Sequence, residues 1–362
     1  MSRNFNLHVH GARGFFALMI LVFHVINSGL PGLAVLEHGF LNYAVRSAEF
    51  GVELFFAVSG YVISGTLARS NRPVDFVLNR MIRIFPVLWL TILVITLAAL
   101  AGRGKAYPFD LGIPLPYLLT ANLLALPGVF PLPLIHPAAW SLSYEFAFYL
   151  VSAGIWWGLR TTTNARWPIV WCFAFVGFVI CLFHPRTIPF IAGVLVALYQ
   201  DRFRNVRAPG LWLVGFLALW TTIKILTPNE DPNQWTVPDM VTDGRLVLLV
   251  AAIACLTVGF GGLTHGRGML CWLLGKPWML WFGTVSYSLY LWHPIVLGIV
   301  KRQVYAMNLP AHLGQYTQLV FLLVCLPLCA AVSWASQRYV EAGLGRWLKM
   351  RVTDFRRRLE VA

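Results

Sequence analysis

Residues 11–26 read GARGFFALMILVFHVI, a run that is long and apolar enough to cross a bilayer as one helix. Two ionisable side chains, Arg13 and His24, interrupt this run eleven positions apart. Eleven steps of about 100° leave both side chains within roughly 20° of each other, with a rise of roughly 16 Å between them. Because charges in a span usually face a bundle interior or a wet cavity, the pair predicts an inward-facing polar stripe. Alternatively, the arginine snorkels to the interface and the histidine bonds a neighbouring carbonyl.

The composition of the chain indicates an all-α, polytopic membrane protein. Of its 362 residues, 58% are hydrophobic and 12% are charged, whereas a soluble domain carries roughly 25% charged residues. The net charge of +14 is spread over short segments between apolar runs. It therefore indicates membrane topology and a lipid bilayer partner with anionic headgroups rather than nucleic-acid binding. The six cysteines form no C-x-x-C pair and predict neither a disulfide framework nor a metal site.

Hydropathy predicts about ten membrane spans. Their approximate limits are 12–30, 48–68, 82–102, 138–159, 167–184, 187–200, 210–226, 245–263, 278–300 and 316–336. With a cytoplasmic N-terminus, 19 of the 28 Lys and Arg residues lie on the cytoplasmic side and 7 on the other side. This asymmetry favours cytoplasmic N- and C-termini. The chain then divides into a membrane domain, residues 1–340, and a basic cytoplasmic tail, residues 341–362, that suits the inner leaflet.

The segment 103–137 contains seven prolines and cannot form one regular helix. Irregular backbone at membrane depth survives only against protein or water. The sequence therefore predicts an extracytoplasmic loop that either dips back over a cavity or lies as a plain surface loop.

The second span carries a carboxylate, Glu53, in its outer half. A buried carboxylate needs a partner, and Arg13, His24 and Arg46 are the candidates. Gly60 would permit close helix contact. The alternative is an interfacial glutamate beside a packing glycine.

The third span opens with two arginines, Arg80 and Arg83, that are three positions apart. They project from one helix face at the cytoplasmic mouth, and paired guanidiniums suit phosphate groups. The alternative is a topology anchor on the positive side of the membrane.

Polar groups also open the fourth span, where Ser141 and Glu145 share a helix face just after Trp140. A buried carboxylate beside a hydroxyl could orient a histidine or hold a sugar hydroxyl. Trp140 alternatively belongs to the interfacial aromatic belt. The ninth span carries Tyr290 and a second histidine, His293, three positions apart. These two alternatively form a hydrogen-bonding network that locks helices together.

Taken together, these segments resemble the acyltransferase-3 family of bacterial integral-membrane acyltransferases. The likeness covers nearly the whole chain and depends on the order of its segments. These are Arg13 with His24, residues 51–61, Arg80 with Arg83 and Pro86, residues 140–145 and residues 286–293. Two positions depart from the family pattern. Glu53 stands where the family usually has Asp, and Glu341 lacks the basic residue and proline that usually follow it.

The resemblance implies transfer of an acyl group, most often acetyl from acetyl-CoA, to a hydroxyl of an envelope or exported glycan. It also implies a multi-pass protein of the bacterial cytoplasmic (inner) membrane. No metal-binding cluster is evident in the sequence, so no metal is expected. In this scheme Arg80 and Arg83 hold the CoA phosphates, while His24 is the general base or transiently carries the acyl group. Arg13 and Glu145 position the substrates or polarise the reacting groups. Support for the substrate or the structure is expected from Glu53, Ser141, Trp140, Tyr290 and His293.

Other functions also fit charged residues inside spans. A transporter or flippase uses such residues along its substrate pathway, but the inverted repeats of many transporters are not evident in this sequence. An acyltransferase that acts on a small molecule, such as an antibiotic or a lipid, is a further alternative. Acetyl transfer or CoA-thioester hydrolysis by the purified protein separates the enzymes from the transporter.

Overall fold

The computed structural model of this chain describes residues 6–33, 39–70, 72–104 and 107–361. The described residues contain no β-strand, only one isolated bridge between Pro127 and Phe130. Arg3 and Lys105, which the topology prediction counts, lie outside these ranges, as does the last residue of the predicted tail.

Ten helices coincide one to one with the ten predicted spans. They are α1 Leu7–Ile26, α2 Gly51–Ala68, α3 Pro73–Leu100, α4 Trp140–Arg160, α5 Arg166–Phe183, α6 Ile188–Leu198, α7 Pro209–Leu226, α8 Leu246–Leu263, α9 Pro277–Ala306 and α10 Thr317–Ser336. The predicted start of α3 is wrong by nine residues. Proline is tolerated at the first position of a helix, and Pro73 occupies that position. The helix therefore begins in the polar segment rather than at the first apolar run.

Eight helical stretches among the described residues are long and apolar enough to cross a membrane. The helix α4 is not among them, and its first two turns carry Ser141, Ser143 and Glu145. The helix α6 belongs to a shorter apolar stretch, Pro185–Leu198. The all-α, polytopic class is therefore confirmed, while the count of ten spans and the orientation of the termini stay predictions.

Shorter helices connect the long ones. They are Gly39–Ser47, Leu115–Leu123, Val237–Thr242, Met269–Leu274 and Leu309–Leu313, with 3-10 turns at Ala48–Phe50, Pro185–Thr187, Gln200–Phe203, Pro232–Gln234 and Gly314–Tyr316. After α10 the chain continues through a π-helical segment, Gln337–Leu344, into a final helix, α11, Gly345–Val361. The predicted boundary of the membrane domain at residue 340 thus falls inside one continuous helical segment.

Glycines bring neighbouring helices into backbone contact. A Cβ atom at Gly14 of α1 would lie 2.5 Å from the carbonyl oxygen of Met279 in α9, and one at Gly60 of α2 would lie 2.1 Å from that of Phe190 in α6. Only a residue without a side chain permits such approaches. The predicted packing role of Gly60 is thereby confirmed.

The proline-rich segment folds back onto the helix bundle. Asn122, at the end of its short helix, donates to the carbonyl of Pro133 and accepts from the amide of Ile135, both at 2.9 Å. Pro137, the last residue of the segment, and Ala138, which follows it, line a cavity between the helices. Of the two predicted arrangements, the structure therefore has the loop that dips back over a cavity.

Candidate active site

Three cavities follow one another through the bundle. We call the side where α1 begins the inner side. The inner mouth is lined by residues that include Thr66, Arg80, Arg83, Glu341, Arg346 and Lys349. The central cavity is lined by residues that include Arg13, Ser59, Arg80, Arg83, Glu145, Tyr149 and Tyr290. The outer cavity is lined by residues that include His24, Glu49, Trp140, Arg186, Tyr290 and Lys301. Neighbouring cavities share wall residues and so lie end to end, and we call this succession of cavities the path.

The helix α1 carries both of its ionisable residues along this path. Arg13 lies half-buried in the wall of the central cavity. His24, further along the helix, lies in the wall of the outer cavity and is exposed to it. The predicted inward-facing stripe is therefore confirmed.

The central carboxylate is Glu145 of α4. One of its oxygens, Oε1, accepts a hydrogen bond of 2.7 Å from the Ser59 hydroxyl of α2 and a second from the Tyr149 hydroxyl one helical turn away. Ser141, the hydroxyl that helical spacing places beside it, instead donates to the Ala138 carbonyl and lies 2.8 Å from the Tyr290 hydroxyl. Glu145 is thus held by α2 and by its own helix rather than by Ser141.

Arginines outnumber carboxylates around the central cavity. The charged groups that act on Arg13 are Arg83, Glu341 and Glu145. With Arg80 in the same wall, three guanidiniums face two carboxylates. Among the described residues this leaves an excess of positive charge, which suits an anionic ligand.

The two arginines of α3 lie in the same walls but differ in their engagement. Arg80 is buried, donates from Nη2 to the Thr66 hydroxyl at 3.0 Å, and lies over the rings of Phe76 and Tyr149. Arg83 is half-buried and makes no hydrogen bond or ion pair with a described residue. Its donors are therefore available to a ligand, whereas those of Arg80 are partly used.

The two histidines of the predicted site are neighbours. The ring of His293 in α9 is buried, and its centroid lies 5.0 Å from that of His24. His293 Nδ1 lies 3.1 Å from the carbonyl oxygen of Leu289, which can only accept, so Nδ1 carries the proton. Nε2 is then a bare acceptor, and it has no partner among the described residues. The competing candidates thus form one pair, of which only His24 lines the outer cavity.

The predicted partners of Glu53 are wrong. Glu53 pairs with Arg186 at 2.5 Å, and the exposed fractions of the two side chains are 0% and 3%. Arg186 also donates to Asn233 at 2.9 Å, and its guanidinium carbon lies 4.2 Å from the centroid of the Trp140 ring. Sequence patterns place Arg186 in a short outer loop. The 3-10 turn Pro185–Thr187 instead tucks it into the bundle, 133 positions from its partner.

A further buried histidine, His136, is absent from the sequence predictions. Its Nε2 donates to the Leu291 carbonyl at 2.8 Å, and its Nδ1 accepts from the Ala138 amide at 3.1 Å. Burial lowers the pKa of His136 to about 4, so the ring is neutral near pH 7. It ties the end of the proline-rich segment to α9. Its place four residues before the Trp-Ser motif was the available signal.

The acyltransferase-3 family model, described as an acyltransferase domain, matches residues 6–338. The chain belongs to this family. The resemblance carried by the ordered segments is therefore confirmed, and the protein is a multi-pass membrane acyltransferase.

Several curated proteins are similar to this member of the family. The exopolysaccharide production protein ExoZ of Rhizobium meliloti (strain 1021) is 29% identical over 72% of this chain and 80% of its own length. Nodulation protein 10 of Rhizobium leguminosarum bv. viciae is 25% identical over 86% of this chain and 85% of its own length. A Staphylococcus aureus (strain COL) protein, provisionally named an O-acetyltransferase, is 22% identical over 83% of this chain, which spans 52% of that protein. No solved structure matches the chain.

Proposed function

We propose that this acyltransferase moves an acyl group, acetyl in the first instance, from acyl-CoA to a hydroxyl of an envelope or exported glycan. The observation that carries the proposal is the path through the bundle, with arginines at its inner end and His24 at its outer end. A donor with anionic phosphates and a long neutral arm suits this distribution of charge. The proposed setting is the bacterial cytoplasmic membrane, with the inner mouth facing the cytoplasm.

The donor enters the path from the inner mouth with its acyl end first, so its phosphates stay at the mouth. Arg80 and Arg83 line both the inner mouth and the central cavity, and in this scheme they hold the phosphates, with Arg83 offering the freer guanidinium. The pantetheine arm then extends past Arg13 and Glu145 towards His24. Helix geometry puts His24 roughly 16 Å beyond Arg13, so only a long, narrow arm spans the interval.

The transfer itself is acyl exchange between sulfur and oxygen. A neutral His24 takes the proton of the acceptor hydroxyl as its oxygen forms a bond to the thioester carbonyl carbon. The carbon–sulfur bond then breaks, and the histidine returns the proton to the leaving CoA thiolate. If His24 instead carries the acyl group, it displaces CoA first and the hydroxyl then attacks the acyl-histidine. Either route ends with the hydroxyl proton on the CoA thiol, the acyl group on the acceptor oxygen and the neutral histidine restored.

Two observations support a glycan as the acceptor: the side chains that line the outer cavity and the names of the similar proteins. The outer cavity offers an acidic, a neutral and a basic hydrogen-bonding side chain, Glu49, Asn233 and Lys301. The aromatic Trp140 lies in the same wall. The name of ExoZ refers to exopolysaccharide production, and a further relative is provisionally named an O-acetyltransferase. These names support a hydroxyl of an exported sugar as the acceptor.

The test uses purified protein and intact cells. Purified protein should cleave acetyl-CoA and transfer labelled acetyl to envelope glycan isolated from a deletion strain. Mass spectrometry of surface glycans from that strain should show the loss of an acetyl group, which the cloned gene restores. Unchanged glycans together with an absence of acetyl transfer would contradict the proposal.

A further inference from the structure

The inner mouth carries more positive charge than the two family arginines supply. Besides Arg80 and Arg83, its wall includes Arg346 and Lys349 of α11. Glu341 is the one carboxylate among its described lining residues. Four cations against one anion make a strongly positive opening, which attracts a polyanion more than a singly charged ligand.

Arg346 and Lys349 point to the same opening because of where α11 lies. They are three positions apart on one helix, so their side chains share a face. The helix reaches α3 through Gly345, whose Cβ would lie 3.8 Å from the side chain of Ile82. This contact holds the basic face of α11 across the mouth from the arginines of α3.

Both side chains are available to a ligand. Arg346 and Lys349 are exposed, and neither side chain forms an ion pair or hydrogen bond with another described residue. Arg80, by contrast, already donates to Thr66 and lies against the two neighbouring rings of Phe76 and Tyr149. The donors that are free at this opening therefore belong mainly to α11 and to Arg83.

We propose that Arg346 and Lys349 bind the phosphates at the nucleotide end of the acyl donor. Arg83, which also lines the central cavity, is the deepest of these three cations. The inference rests on the proposed use of acyl-CoA and extends its binding site to the helix after the last span. CoA carries a 3′-phosphate and a diphosphate, which need several separated cations. An arginine fork and a mobile ammonium suit these groups. The basic end of the chain then serves as part of the donor site.

A phospholipid headgroup offers the same phosphate chemistry to these two side chains. The test therefore measures CoA affinity directly, by titration calorimetry, in a neutral detergent and in nanodiscs that contain anionic phospholipid. The variant is Arg346→Gln with Lys349→Gln. The matched control is Arg351→Gln, because Arg351 lies on the same helix, stacks on Trp347 and is outside the mouth.

The double variant should bind CoA roughly tenfold more weakly in neutral detergent, because two charge-assisted contacts are lost. Its KM for acetyl-CoA should rise by the same factor at a nearly unchanged kcat. Acetyl-pantetheine, which lacks the nucleotide end, should be used equally well by the double variant and the parent protein. The control should match the parent protein, and raised salt should shrink the difference.

Equal CoA affinity of the double variant and the parent protein overturns the inference while leaving the proposed function intact. An effect confined to anionic nanodiscs, or shared by Arg351→Gln, also overturns it, since the charges then act through the lipid or the general field. If the double variant does not fold, each single variant is measured in the same way. A parent protein that binds CoA but transfers no acetyl group refutes the proposed function and leaves the binding comparison valid.

Discussion

The rings of His24 and His293 lie side by side, and their accessibility separates their roles. His24 is exposed to the outer cavity, whereas His293 is buried behind it with Nδ1 bound to its own helix. Of the two, His24 alone lines the cavity in which the proposed acceptor hydroxyl would bind. We therefore place the chemistry on His24 and expect His293 to support the packing of α9 beside it.

His24→Ala should lower the rate of acetyl transfer by about a hundredfold or more and leave CoA affinity unchanged. The reason is that the base is lost while the inner mouth stays intact. His293→Ala should lower the thermal unfolding midpoint of the protein but leave much of the rate of acetyl transfer. Acetyl transfer by each purified variant, at matched folding, measures the two effects. Full activity in His24→Ala with loss in His293→Ala would move the base to α9.

Glu145→Gln should reduce transfer sharply while expression and membrane insertion stay normal. Glu145 accepts from Ser59 and Tyr149, and a glutamine can still accept through its oxygen, so the local packing survives. What disappears is the negative charge that acts on Arg13. Initial rates of acetyl transfer are the measurement, with Ser59→Ala as the companion variant. Near-normal turnover in the glutamine variant would make Glu145 a structural residue only.

At the scale of single elements, close helix contact depends on glycine. Gly60→Ala would place a Cβ atom 2.1 Å from the Phe190 carbonyl oxygen, and α2 and α6 would have to separate. We expect a loss of roughly 1–3 kcal/mol in stability. Gly215→Ala in α7 is the control, since its Cβ would meet the Cys255 sulfur at an ordinary 3.5 Å. Thermal unfolding in detergent compares them, and equal midpoints would contradict the packing role.

The proline-rich segment is held to α9 by a neutral histidine. Because burial lowers the pKa of His136 to about 4, its contribution to stability is complete above its ordinary pKa of about 6.5. That contribution is lost as the pH falls from about 6.5 towards 4, since the folded state resists protonation that the unfolded state accepts. The loss amounts to roughly 3 kcal/mol at most.

His136→Gln should therefore be less stable than the parent protein at pH 7.5, because one of its two hydrogen bonds is lost. Its stability should also fall less steeply between pH 6.5 and 4.5. Unfolding midpoints across this range provide the test, with the exposed His312→Gln as a control that keeps the parent curve. A variant curve parallel to the parent curve would show that His136 does not set this dependence.

At the scale of the whole molecule, the ion pair between Glu53 and Arg186 joins distant parts of the chain. Glu53→Ala leaves the buried guanidinium of Arg186 without its carboxylate, and we expect a loss of roughly 3–5 kcal/mol. The double variant Glu53→Ala with Arg186→Ala should be more stable than the sum of the two single losses predicts. Denaturant unfolding of all four proteins measures this coupling. Additive losses would contradict a stabilising pair.

The sequence by itself determined the class, the ten helical segments and the inward face of α1. These properties depend on local apolar runs and on helix periodicity, which neighbouring residues in the chain specify. It also placed Arg80 beside Arg83, because residues three apart on a helix are neighbours in any fold. The order of the short motifs was enough to indicate the family.

Only the tertiary structure decided which polar groups meet. Glu53 pairs with Arg186 rather than with any candidate nearer in sequence, and Glu145 is held by Ser59 rather than by Ser141. His24 and His293 come together because glycines hold α1 and α9 in contact. These contacts join residues 86 to 269 positions apart. Helical periodicity relates residues only within one helix, so the partner across a contact follows from how the helices pack.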